Sequence, residues 1–82
     1  MSRGRKLLDA AKASPAGLSF SDLQALAVAA GYRLVRTRGD HFIYSRPKTP
    51  EIINLQPANG KAKIYQVRQV LGIIEKYAIK IE

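Results

Sequence analysis

The nine residues Arg36-Thr-Arg-Gly-Asp-His-Phe-Ile-Tyr44 contain the chain's one histidine, His41, with Arg36 and Arg38 just before it and Arg46 just after. An imidazole has an ordinary pKa of about 6.5, so near neutral pH it can take up or release a proton. Guanidinium groups supply fixed positive charge to a developing oxyanion. RNA brings its own nucleophile, the 2′-hydroxyl. Cleaving it asks of a protein only a base for that proton, cations for the phosphorane and a proton for the departing oxygen. His41 meets the first requirement, and Arg36, Arg38 and Lys61 are candidates for the second. A surface strand residue beside a turn accounts for the same histidine, and the residues alone leave both readings open.

A second basic stretch, Gly60-Lys61-Ala62-Lys63, precedes the last apolar-periodic segment. Neither Ala62 nor Lys63 accepts hydrogen bonds from the first amides of a following helix, and two lysines there oppose the helix dipole. An anion such as phosphate satisfies both, whereas a solvated loop needs neither. Arg68, further along, can add a backbone contact. Tyr32, Phe42, Tyr44 and Tyr65 could stack on bases, but aromatics at strand spacing in a small domain are expected first in the core.

Fourteen Lys and Arg against six Asp and Glu give a formal charge of +8. Such a field selects polyanions: nucleic acid, an acidic surface or an acidic protein. No apolar run approaches the roughly 18 residues of a spanning helix, so no membrane partner is expected. Arg3, Arg5 and Lys6 resemble the start of an export signal, but Asp9 and Lys12 interrupt the apolar stretch after them, and the expected location is the cytoplasm. The chain has no cysteine. One histidine with scattered carboxylates does not build a zinc or two-metal centre, so any chemistry is expected to run without a metal or to borrow an ion weakly, and no cofactor is expected.

At 82 residues the chain has room for one core. Leu7, Leu8 and Ala11 predict a short helix over Lys6–Lys12, ended by Ser14-Pro15-Ala16-Gly17; residues 1–18 form either this helix or a loose arm, ahead of a domain over 19–82. A second helix is predicted over Asp22–Ala30, capped by Ser21 with Gln24 as its capping-box partner and Phe20 as a staple, and stopped by Gly31. Its apolar face is Leu23, Leu26, Ala27 and Ala30. Strands are predicted at Tyr32–Arg36 and His41–Ser45, joined by Thr37-Arg38-Gly39-Asp40, with a third at Ile52–Gln56 after a loop through Pro47, Thr49 and Pro50. Alternation puts His41 and Ile43 on one face and Phe42 and Tyr44 on the other, toward the helices. Val67, Val70, Leu71, Ile74 and Tyr77 or Ala78 mark the last helix, Tyr65–Tyr77. The class is α+β, in the order α-β-β-β-α, with one sheet face covered by helices and the other wet.

From Phe20 to Tyr77 the chain resembles the HicA-type toxins, YcfA-like mRNA interferases of HicAB toxin–antitoxin systems. Four features carry the resemblance: Ala-Gly-Tyr before the first strand, Arg-x-Arg-Gly-x-His-x-Ile-Tyr at its centre, Ile-Ile-Asn-Leu-Gln-Pro at the third strand, and Gly-Lys-Ala-Lys-x-Tyr-Gln-Val-Arg-Gln entering the last helix. It implies a double-stranded-RNA-binding-domain-like fold and metal-independent cleavage of mRNA. It also implies His41 as the catalytic residue and a HicB-type antitoxin covering it. One departure stands out: the family motif is usually Gly-Ser-His, and here it is Gly39-Asp40-His41. Strand alternation would point Asp40 away from His41, leaving it to add negative charge near a bound phosphate or to shape the turn through its amides.

Overall fold

Breakers at Ser14-Pro15 and Gly31 and tight turns at Gly39-Asp40 and Pro47-Lys48 divide the chain into α1 (Arg3–Ala13), a 3-10 turn (Pro15–Gly17), α2 (Phe20–Ala29), β1 (Arg33–Arg38), β2 (His41–Arg46), β3 (Thr49–Leu55) and α3 (Ile64–Lys76). The computed structural model describes residues 3–82, so the first two residues of the expected N-terminal segment lie outside the described residues. The strands form one antiparallel sheet in the order β1-β2-β3. Helices cover one of its faces, in the α+β arrangement the patterning predicts.

The core lies between that face and the helices. Leu23, Leu26 and Ala27 of α2, Val67 of α3, and Ile53 and Leu55 of β3 are fully buried. Each large aliphatic side chain so removed from water contributes roughly 1.5–3 kcal/mol. Tyr44 is buried with them, and Phe42 packs on Phe20 with ring centroids 5.4 Å apart, so the two aromatics of β2 face the helices as alternation requires. The N-terminal segment is the helix and not a loose arm: Leu7 and Ala11 are buried where α1 packs on α2 and α3. Gly4 lets the C-terminal residues close over α1, since a Cβ there would stand 2.8 Å from the Glu82 carbonyl oxygen.

Several boundaries differ from expectation, each for a local reason. Ser19, not Ser21, caps α2: its Oγ accepts from the Asp22 amide at 3.1 Å. Phe20 is thereby drawn into the first turn, and Gln24 instead donates to the Tyr44 hydroxyl at 3.0 Å. The first hairpin loop is two residues, not four, because Arg38 pairs with His41. Gly39 alone supplies the positive φ, +59°, that such a loop demands at its first position. Thr49 and Pro50 belong to β3 and not to a loop; proline is tolerated because β3 is an edge and its pairing is irregular between Tyr44 and Arg46. Ala78 is off the apolar face. It stands just past α3 with φ +49°, in the left-handed position of a Schellman motif closed by Ile79 N–H to Ile74 O at 2.9 Å. Ile73, unmarked by the period, is buried.

Polar contacts further fasten the helices to the sheet. Arg46 donates from Nε to the Ala30 carbonyl at 2.9 Å and from a guanidinium NH₂ to Thr49 Oγ1 at 2.7 Å, so it ties the end of α2 to the second hairpin. At Glu51, two residues along β3 from Thr49, Lys76 and Tyr77 both reach the carboxylate, at 2.7 and 2.6 Å, while the Tyr32 hydroxyl donates to the Glu51 carbonyl at 3.0 Å. Those two side-chain partners hold the Glu51 carboxyl at about 2, below its ordinary 4.5. No described helix is long and apolar enough to cross a membrane.

Candidate active site on the open sheet face

The face away from the helices carries Arg36 and Arg38 of β1, His41 and Ile43 of β2, and Asn54 of β3. With Gly39 these residues line a shallow, open cleft of about 450 Å³. A β-bulge decides which face the arginines take. Leu34, itself half exposed, pairs with the buried Tyr44, so uninterrupted alternation would put Arg36 and Arg38 on the Tyr44 side of the sheet. The register instead shifts between Leu34 and Arg36, leaving Val35 unpaired, and Arg36 then opposes Ile43 while Arg38 opposes His41. One inserted residue turns both guanidinium groups onto the histidine's side.

The His41 side chain is 46% exposed. Its Nδ1 lies 3.1 Å from Asn54 Oδ1, an oxygen that only accepts, so with the amide in this orientation Nδ1 donates, and in the neutral ring Nε2 then carries the lone pair. The nearest carboxylate oxygen to Nε2, Asp40 Oδ1, stands at 3.8 Å, beyond a hydrogen bond. That corrects the expectation that Asp40 points away. Asp40 sits in the two-residue turn and not in a strand, so alternation does not govern it. Its other oxygen accepts from Gln56 Nε2 at 3.1 Å, and that bond is the main reason its carboxyl is held below the usual carboxylate range, with His41 and Lys63 adding smaller pulls.

Gln56 is the joint of the site. Its Oε1 accepts from Lys63 Nζ at 2.9 Å, and its backbone amide donates to Oε1 of the buried Gln66 at 3.1 Å. Lys63 is thus linked to the turn through Gln56 and Asp40. Lys63 is also the N-cap residue of α3 and makes no side-chain cap bond, as the sequence leads one to expect. Lys61 and Arg68 are exposed but do not line the cleft; Lys61 bridges to Ser19 at the start of α2. Arg46, near His41 in sequence, works at the far end of β2. Tyr32 and Tyr44 are buried and Phe42 partly so, whereas Tyr65 is 65% exposed, its hydroxyl accepting from Gln66 Nε2 at 3.2 Å.

Residue type alone suggests no role for Asn54 and Gln56. A signal is nevertheless present: they alternate with the inward Ile53 and Leu55, which places both on the histidine's face. Among the described residues no three His, Cys, Asp or Glu side chains converge as a metal site.

These elements make a small α+β protein, α-β-β-β-α around a three-stranded antiparallel sheet, whose open, cationic face presents one histidine. Residues 20–76 match the family described as HicA toxin of bacterial toxin–antitoxin systems, and the chain belongs to that family. It is therefore the toxin half of a toxin–antitoxin pair. No curated protein gives a significant match.

Proposed function

We propose that the chain is a metal-independent endoribonuclease that cleaves mRNA in the cytoplasm, with His41 as general base. Nε2 takes the proton of a 2′-hydroxyl, and the freed oxygen attacks the adjacent phosphorus. The bond to the 5′-oxygen breaks, that oxygen takes a proton from water, and a cyclic phosphate remains. Arg36 and Arg38 hold the phosphate and offset the charge of the phosphorane, a contribution made where charge develops. Lys63, the uncapped start of α3, Lys61 and Arg68 carry the flanking backbone, and Tyr65 offers a ring on which a base can stack. A HicB-type antitoxin covers His41 and silences the site.

The observation that carries this reading is the sole imidazole, half exposed on an open face, in a cleft that Arg36 and Arg38 also line. His41→Ala tests it. The side chain is half exposed and outside the core, so the variant is expected to keep the fold while losing both growth arrest in cells and cleavage of labelled RNA by the purified protein. Cells that still arrest and lose mRNA on expressing it would refute the assignment.

One feature favours a second reading, a module of the same fold that binds RNA without turnover. An ionised Asp40 lies 3.8 Å from Nε2, where the family resemblance leads one to expect a small hydroxyl. Binding that leaves RNA length unchanged would select this alternative.

A further inference from the structure

We infer that Asn54 is a positioning residue that fixes His41 in the Nδ1–H tautomer, the form the proposed ribonuclease chemistry needs; the inference rests on that chemistry for its purpose but not for its geometry. The imidazole is fastened at Nδ1, 3.1 Å from Asn54 Oδ1. That nitrogen is turned along the sheet toward β3 and so cannot serve a substrate lying in the cleft. Only Nε2 can, and only while it holds a lone pair. Without a partner, a neutral imidazole distributes its proton between both nitrogens, and the Nε2–H form has nothing to accept a 2′-hydroxyl proton with. With its oxygen toward Nδ1, as here, the Asn54 amide disfavours the idle form.

The identity of the residue matters as much as its position. Asn54 lies opposite Ile43 and diagonal to His41, on a face that also carries Arg36, Arg38 and Gln56, with the Asp40 carboxylate near the ring. A carboxylate in place of the amide would orient the ring equally well but would set a second negative charge beside the phosphodiester. The neutral acceptor orients without repelling. Glutamine at 54 would be too long for the diagonal contact, and Gln56, directly across from His41, is already engaged with Asp40 and Lys63.

Because His41 is the only histidine, the ring can be observed directly. Long-range ¹H–¹⁵N spectra of the labelled protein, in mildly alkaline buffer where an imidazole is neutral, distinguish the two tautomers. Wild type and Asn54→Asp are expected to show Nδ1–H, and Asn54→Ala a majority of Nε2–H. In cleavage assays Asn54→Ala should lose roughly tenfold to a hundredfold in kcat, by analogy with removal of the partner that orients a metal-bound histidine, with KM little changed. Asn54→Asp should recover kcat while raising KM. Wild type in the Nε2–H form, or an Asn54→Ala variant whose tautomer does not move, overturns the inference; a tautomer that moves while kcat stays constant removes its catalytic purpose. His41→Ala run in parallel separates the two levels, since cleavage by that variant would defeat the ribonuclease reading and leave the tautomer result standing.

Discussion

The cleft, rather than the overall field, should set how RNA binding responds to salt. An oligonucleotide short enough to leave Lys61 and Arg68 uncovered meets three cations tied to the site: Arg36 and Arg38 in its walls and Lys63 through Gln56. If each neutralises one phosphate of a single strand, log K falls against log salt with a slope of about −2, so raising salt from about 50 to 200 mM costs roughly 20-fold in affinity. Replacing Arg36 and Arg38 together with glutamine leaves a slope of about −0.7, and the same change in salt then costs roughly threefold. A control of equal charge, Lys12→Gln with Lys80→Gln, lowers the formal +8 by the same two units at positions lining other hollows, and should keep the wild-type slope. Fluorescence anisotropy with a 2′-O-methylated oligonucleotide, which has no nucleophile and is not consumed, measures all three proteins. If both double variants flatten the slope equally, net charge explains binding and the bulge-directed arginines have no special part.

Asp40→Ser removes a carboxylate 3.8 Å from His41 Nε2, so RNA affinity and cleavage should both rise by about three- to tenfold at low salt and converge with wild type at high salt. A variant no better than wild type would reduce Asp40 to a turn residue. Ala78→Gly relieves a left-handed conformation at φ +49°. A non-glycine residue there costs roughly 1–2 kcal/mol, glycine's lost freedom offsets part of that, and a net gain of about 0.5–1 kcal/mol should raise Tm by about 2–8 °C. Calorimetry showing no gain would mean the Schellman turn is not strained. Because the Glu51 carboxyl is depressed to about 2 from 4.5, its contribution to stability is complete above its ordinary value and fades as pH falls toward the lower one. The stability gap between wild type and Glu51→Gln in urea should therefore be constant near neutrality and close on acidification; a gap that persists at the acid end would refute the fastening by Lys76 and Tyr77.

Much of the scaffold is legible in the residues. The 3.6-residue period of Leu23, Leu26 and Ala27, and of Val67, Val70 and Ile74, survives folding because burial of an apolar stripe is what makes those helices. Alternation in β2 is legible for the same reason, since Tyr44 must leave water and His41 need not. Ends are less so. Ser19 and Ser21 are equally able to cap, and the choice is set by Phe20 reaching Phe42 in the core, a contact between segments that local spacing does not reveal. Tyr65 looks like a core aromatic by type, yet the α3 face it occupies is not the one that meets the sheet.

By itself, then, the sequence determined the element order, the apolar faces, the positive charge and the single imidazole, because each of these depends on residue type and on short-range periodicity. Only the tertiary structure decided what surrounds that imidazole. Between the Leu34–Tyr44 pair and the Gly39 turn the register slips by one residue at Val35, and that slip is what brings Arg36 and Arg38 to the histidine's face. Asn54 and Gln56 reach the ring and its neighbouring turn from a strand more than ten residues away. Such contacts exist only once three strands share a register, and register is a property of the sheet rather than of any one strand.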